Sequence, residues 1–304
     1  MTTTPGDRQP AATDLSDAPA CRHASAQFAA GDGARLHLQA WLPPGEPTAV
    51  IAVVHGYGEH GGCHRWFAEA MTSRGYAVYV YDLRGHGQSS GARGLVRRFD
   101  DYLDDTAVYV DEVRRREPDL PVVLLGHSFG GLISARFVEE RSAGFSALVL
   151  SAPFLALATP VPPAKVLGAR VLSVLWPGKD VGNTVQAADL SHEPVVAERY
   201  VTDPLVHHVA PARWVAETLA AQDAAMQHAP RVTLPLLVLY GDADRIADPE
   251  FAEAFDAAAG SKDKTLIGYE GYYHELFNET GRARVFDDVA TWLGERLPAT
   301  AGTD

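Results

Sequence analysis

A chain of 304 residues, 46% hydrophobic and carrying a formal net charge of −13, can build one large core or two modest ones, and it repels nucleic-acid phosphates and anionic lipid headgroups. Its two cysteines, Cys21 and Cys63, are too few for a disulfide framework and lie outside any metal-ligand spacing, which suits a reducing cytoplasm. No run approaches the roughly 18 apolar residues of a membrane span, so a soluble protein is expected.

In chain order, residues 1–24 lack the basic and apolar regions of a signal peptide and read as a disordered tail rich in Thr, Pro, Ala and Asp. "SAQFAAGDGARLHLQAWLPPG" then reads as two alternating strands joined by a turn at Gly31, Asp32 and Gly33. "AVIAVVH" is apolar throughout, as in a strand buried on both faces. From there strands and helices alternate. "WFAEAMTSRG" is a helix ending at Gly75, "YAVYVYDLRGHG" a strand and its loop, and "FDDYLDDTAVYVDEVRRR" an amphipathic helix. The last has acids in its first turn and Arg114, Arg115 and Arg116 at its end, both favoured by the helix dipole. "PVVLLG" is a strand, "FGGLISARFVEE" a helix and "FSALVLSAP" the sixth strand. The alternation breaks over 153–232 and resumes with strand "PLLVLYG", helix "PEFAEAFDAAAG", strand "KTLIGYE" and a terminal helix near "RVFDDVATWLGERL".

This pattern predicts an α/β fold with a mostly parallel eight-stranded sheet covered by helices on both faces. Its core spans 25–152 and 233–298, followed by a short tail at 299–304. The intervening 153–232 is too long for a simple connection and is expected to fold as a helical lid over the strand ends, where open α/β sheets place their sites.

One short stretch concentrates the chemical interest. Gly126-His127-Ser128-Phe129-Gly130 follows a buried strand and opens a helix. A sharp strand-to-helix turn brings the positions two before and two after the serine together, and glycine at both removes the clash. The serine is held in a strained conformation with its hydroxyl presented, while the free N–H groups of the new helix point toward it. A serine hydroxyl needs a base. Of the twelve histidines, His274 lies in the loop after the last strand, at the sheet edge expected to carry Ser128. The loop after the preceding strand supplies Asp242, Asp244 and Asp248 as candidate acids, and the order serine, aspartate, histidine is the one this architecture requires.

"HGYGEH" at 55–60, "YDLRGHGQSSG" at 81–91, "GHSFGG", "YGDADRIAD" and "YEGYYHELFNE" together resemble monoacylglycerol lipases and related lysophospholipases of the α/β-hydrolase fold, from about Phe28 to the final helix. The resemblance implies that Asp244 is the acid and that the backbone N–H groups of Tyr57 and Phe129 form an oxyanion hole. It implies no metal or organic cofactor. The expected activity is ester hydrolysis through an acyl-enzyme on a monoacylglycerol or similar single-chain lipid. A lysophospholipase or general carboxylesterase, a proline iminopeptidase-like peptidase using Glu193 and Glu198, and a non-catalytic binding protein are the alternatives. His55, Glu59 and His60 read as braces of their loop, and Asp82, Arg84 and His86 as a hydrogen-bonded corner beneath the site.

In the insert, "AKVLGARVLSVLWPG" forms a wide apolar helix face interrupted by Gly168. Leu167, Val171, Leu172 and Leu175 are expected to line the substrate pocket, with Leu205, Val206 and Trp214 as further wall candidates. Part of this face is expected to touch a neutral lipid interface, placing the protein in the cytoplasm and peripherally at membranes or lipid droplets.

Overall fold

The computed structural model describes residues 21–297 except 142–143, 160–161 and 184. The expected tails at 1–20 and 299–304 lie outside the described residues.

Among the described residues, eight strands form one sheet: β1 (Arg22–Ala29), β2 (Arg35–Leu42), β3 (Ala49–Val54), β4 (Tyr76–Tyr81), β5 (Val122–His127), β6 (Ala147–Ser151), β7 (Leu236–Gly241) and β8 (Lys264–Tyr269). Their order is β1-β2-β4-β3-β5-β6-β7-β8, antiparallel from β1 to β4 and parallel from β4 to β8.

The first strand corrects the expected extent of the tail, since residues 22–24 belong to β1 rather than to a disordered segment. The reason is backbone pairing. All eight residues of β1 pair with β2, although most of their side chains are exposed. The polar side chains of Arg22, His23 and Ser25 conceal a strand held by its ladder, with the His23 ring lying 4.6 Å from that of Trp41.

Side-chain alternation explains why the central strands are apolar throughout. Val50, Ala52 and Val54 of β3 join the core on one face of the sheet, and Ile51 and Val53 join the core on the other. The first core is completed by helices α2 (Asp100–Arg116), α3 (Phe129–Arg141) and α7 (Pro249–Ala258). The second is completed by α1 (Arg65–Thr72) and α8 (Arg282–Gly294).

Because β3 and β5 through β8 are parallel, their following loops leave from one sheet edge. Between β6 and β7 the insert places α4 (Pro163–Leu175), α5 (Pro194–Thr202) and α6 (Ala212–His228) above that edge. Helix α6 packs on α3, and α4 packs on α6. Among the described residues, no helix is long and apolar enough to cross a membrane.

Candidate active site

Ser128 sits at the tip of the turn between β5 and α3 with φ +53°, in the left-handed region that a side chain adopts only under constraint. The constraint is visible in the hydrogen bonds. Its N–H donates to the Ser151 carbonyl at 2.9 Å, and its own carbonyl accepts from Gly131 at 2.8 Å, Leu132 at 3.2 Å and Phe154 at 2.9 Å. A Cβ at Gly126 would collide with the Gly130 carbonyl, and a Cβ at Gly130 would collide with the Val54 carbonyl, so glycine is required at both positions. The turn therefore holds the buried serine in one place.

His274 reaches that serine from the loop after β8. The Ser128 hydroxyl donates to His274 Nε2 at 2.7 Å, and His274 Nδ1–H donates to Asp244 Oδ2 at 2.7 Å. Asp244 is fixed in turn, its Oδ1 accepting from the Ile246 and Ala247 amides at 2.8 and 3.1 Å. All three side chains are buried. The neighbouring acids are otherwise engaged. Asp242 accepts from the Gly271 amide at 2.6 Å, joining the loops after β7 and β8, and Asp248 caps α7 by accepting from the Glu250 amide at 3.0 Å. Only Asp244 of the three faces the imidazole.

Tyr57 lies in the loop after β3, and Phe129 opens α3, where the first amide has no intrahelical acceptor. The loop is braced from below. His55 Nδ1–H donates to the Gly56 carbonyl at 2.7 Å, its Nε2 accepts from the Leu83 amide at 2.9 Å, and Glu59 accepts from the Gly56 amide. Burial pushes the His55 imidazole down to about 4, so it is neutral and can hold both bonds. Burial opposes ionisation of Glu59, but the His64 ring that contacts it, helped by His127, outweighs this and holds the carboxyl well below the usual carboxylate range. The expected corner is present as well. Asp82 accepts from the Gly61 and Gln88 amides, each at 2.8 Å, and Arg84 makes two 2.6 Å bonds to Asp105. His86 donates from Nδ1 to the Arg84 carbonyl at 2.9 Å.

Ser128, Asp244 and His274 open onto one cavity of about 1280 Å³ beneath the insert. Its walls are largely apolar, with Phe154, Leu157, Leu172, Val181, Val215, Leu219 and Ile246 among them, while Glu59, His127 and Glu275 form a polar side.

Most of the expected pocket residues are placed elsewhere. Leu172 and Trp214 line the cavity, but Leu167, Val171 and Leu175 do not, being 63%, 49% and 77% exposed on the outer side of α4. The cavity side of α4 is instead Lys165, Gly168, Ala169 and Leu172. The helix runs unbroken through Gly168. Leu205 and Val206 also fall outside the cavity wall. They follow Asp203, which accepts from the Leu205 amide at 2.8 Å and contacts His60 Nε2 at 3.1 Å, so their turn is tied to the outside of the loop after β3. The sequence reading missed Val215 and Leu219. Their spacing of four on α6, following Trp214, is the signal that a helical reading of "ARWVAETLAAQ" offers.

Residues 45–281 match the Hydrolase_4 family model, described as serine aminopeptidase, S33. A monoacylglycerol lipase of Mycolicibacterium smegmatis is 36% identical over 271 residues, covering 89% of this chain and 96% of that protein. The human monoglyceride lipase is 37% identical over 277 residues, covering 90% of each. Among solved structures, the monoacylglycerol lipase of Paleococcus ferrophilus superposes with a TM-score of 0.76 at 28% identity, covering 90% of this chain and 99% of that one.

Proposed function

The chain belongs to the serine aminopeptidase S33 family of α/β-hydrolases, and from that premise we propose that it is a serine lipase that hydrolyses monoacylglycerols to glycerol and fatty acid. The observation carrying this reading is the unbroken line from Asp244 through His274 to Ser128, with both links at 2.7 Å, opening on one large, mainly apolar cavity. At about 1280 Å³ the cavity exceeds the roughly 300–1,000 Å³ of common small-molecule sites, which suits a long acyl chain. The relatives named above as monoacylglycerol and monoglyceride lipases support the same substrate class.

In this reading His274 takes the Ser128 proton as Oγ attacks the ester carbonyl, and the Tyr57 and Phe129 amides receive the charge that develops on the carbonyl oxygen. His274 returns the proton to the departing glycerol oxygen, leaving the acyl group on Ser128. Water then enters, gives a proton to His274 and attacks the acyl carbonyl. Collapse of that intermediate releases the fatty acid and restores the Ser128 hydroxyl. The polar side formed by Glu59, His127 and Glu275 faces the alcohol, and the Leu172, Val215 and Leu219 walls face the chain.

The family description names an aminopeptidase, which would need a free carboxylate for the substrate ammonium group. Glu193 contacts Arg282 at 3.1 Å, Glu198 is exposed, and neither lines the cavity. The cavity acids outside the triad are engaged as well: Asp189 pairs with Arg245 at 3.1 Å, Glu59 contacts His64 Nε2 at 3.0 Å, and Glu275 accepts from the Asn278 side-chain amide at 2.7 Å. These pairings favour a neutral ester.

A series of 1-monoacylglycerols from C8 to C18 tests the assignment. Glycerol and fatty acid are expected in equal amounts. Leu172→Trp, which narrows the chain-facing wall, is expected to lower kcat/KM at C18 by about tenfold or more while changing C8 by less than about threefold. Turnover of a proline anilide with no ester hydrolysis would overturn the reading.

The outer side of α4 supplies the second element of the proposal. Leu167, Val171, Val174, Leu175 and Trp176 form an exposed apolar face on the helix whose other side lines the cavity. We propose that it rests on a neutral lipid interface of a membrane or droplet in the cytoplasm, since a net charge of −13 disfavours anionic lipid. Val174→Glu combined with Leu175→Glu is expected to cut the rate on emulsified substrate at least about fivefold relative to that on dissolved p-nitrophenyl acetate. Equal losses on both would remove the interface from the account.

A further inference from the structure

The loop that offers the Tyr57 amide is held from two sides, and one of them is the insert. Below, His55 and Glu59 fix Gly56. Above, the Tyr57 ring stacks on Trp214 of α6 with centroids 3.6 Å apart and planes at 21°. The Tyr57 hydroxyl is 2.9 Å from the Val209 carbonyl and 3.2 Å from the Gly94 carbonyl, and donates to them. One residue on, the Gly58 carbonyl accepts the His207 amide at 2.9 Å. Trp214 also meets the ring of Phe129 edge-on at 5.4 Å. A single indole thus touches both residues whose main-chain N–H groups are proposed for the oxyanion hole.

We infer that Trp214 is a positioning residue for the oxyanion hole, so that the hole is shared between the sheet domain and the insert. Segment 207–214 presses Tyr57 into register through the indole stack, the Val209 carbonyl and the His207 amide. With that segment displaced, Gly56 keeps its braces, Gly58 loses its bond to His207, and Tyr57 keeps only its hydroxyl contact with Gly94 and its edge contacts with His86 and Phe129, so the Tyr57 amide is less firmly aimed. An oxyanion donor acts only when it is already placed where charge develops. Losing one costs about 10²–10³ in kcat, and a site loosened by about 1 Å forfeits a large part of that. The inference rests on the hydrolytic reading of Ser128 given above.

The test uses full-length wild type, Trp214→Ala, Trp214→Phe and Tyr57→Phe, with p-nitrophenyl butyrate as substrate and butylboronic acid as a tetrahedral mimic. Trp214→Ala is expected to lower kcat about 10–100-fold with KM changed less than about threefold, and to weaken the boronic acid by the same factor as kcat. Trp214→Phe, which restores a ring for the stack, should recover most of the loss. Tyr57→Phe, which keeps the amide and the ring but removes the two carbonyl contacts, should show the same pattern at about 3–10-fold. A wall residue without a positioning role would instead raise KM and leave kcat and the relative affinity for the boronic acid alone, and that result overturns the inference. If Trp214→Ala does not fold, Tyr57→Phe decides, and kcat and boronic acid affinity both within twofold of wild type would overturn it. Wild type that neither cleaves the ester nor binds the boronic acid would mean that the hydrolytic reading itself has failed. Active wild type with unaltered variants defeats only the role of Trp214.

Discussion

Replacing Ser128 with alanine is expected to lower kcat on a monoacylglycerol by about 10⁶ while leaving the fold intact. The side chain contributes one hydrogen bond, to His274, whereas the turn itself is held by backbone bonds to Ser151, Gly131, Leu132 and Phe154. Alanine bears the φ of +53° no worse than serine does, because the strain comes from the Cβ both residues share. The melting temperature should therefore move by only a few degrees while turnover vanishes. Steady-state kinetics together with a thermal melt check this. A folded variant with more than a tenth of wild-type activity would remove the serine from the reaction.

The second large effect concerns Asp244. Asp244→Asn is expected to lower kcat by about 10⁴ with little change in KM. The amide is nearly isosteric and can still accept from Ile246 and Ala247 through its oxygen. The atom facing His274 Nδ1 then becomes an N–H donor, which forces the proton onto Nε2, and the imidazole can no longer accept from Ser128. Asp242→Asn and Asp248→Asn serve as controls and should each cost less than about threefold, since their carboxylates accept from the Gly271 and Glu250 amides and face no imidazole. A loss at Asp242 equal to that at Asp244 would contradict the assignment.

How far the sequence speaks for itself varies with the physics involved. The central strands are legible because residues such as Val50 to Val54 must be apolar on both sides to lie between two helical layers. The serine turn is legible because backbone crowding leaves only glycine at 126 and 130. The acid is less so. Asp242, Asp244 and Asp248 share one loop, and only the three-dimensional paths of the chains after β7 and β8 separate a brace, an imidazole partner and a helix cap. The insert is least legible. Helix α4 is apolar on the side facing solvent, so hydrophobicity points to Leu167, Val171 and Leu175, whereas the side that lines the cavity carries Lys165, Gly168, Ala169 and Leu172. Strand β1 hides for a related reason: its first residues gain backbone pairs without burying side chains.

The central claim is that Asp244 and His274 turn one buried alcohol into a nucleophile. Its most direct test is peptide mass spectrometry after brief exposure of the full-length protein to a fluorophosphonate. One stoichiometric adduct is expected on the peptide containing Ser128, absent from the alanine variant at that position and strongly slowed in Asp244→Asn. A well-folded wild-type protein that stays unmodified, or an adduct that persists once the Ser128 hydroxyl is gone, would contradict it.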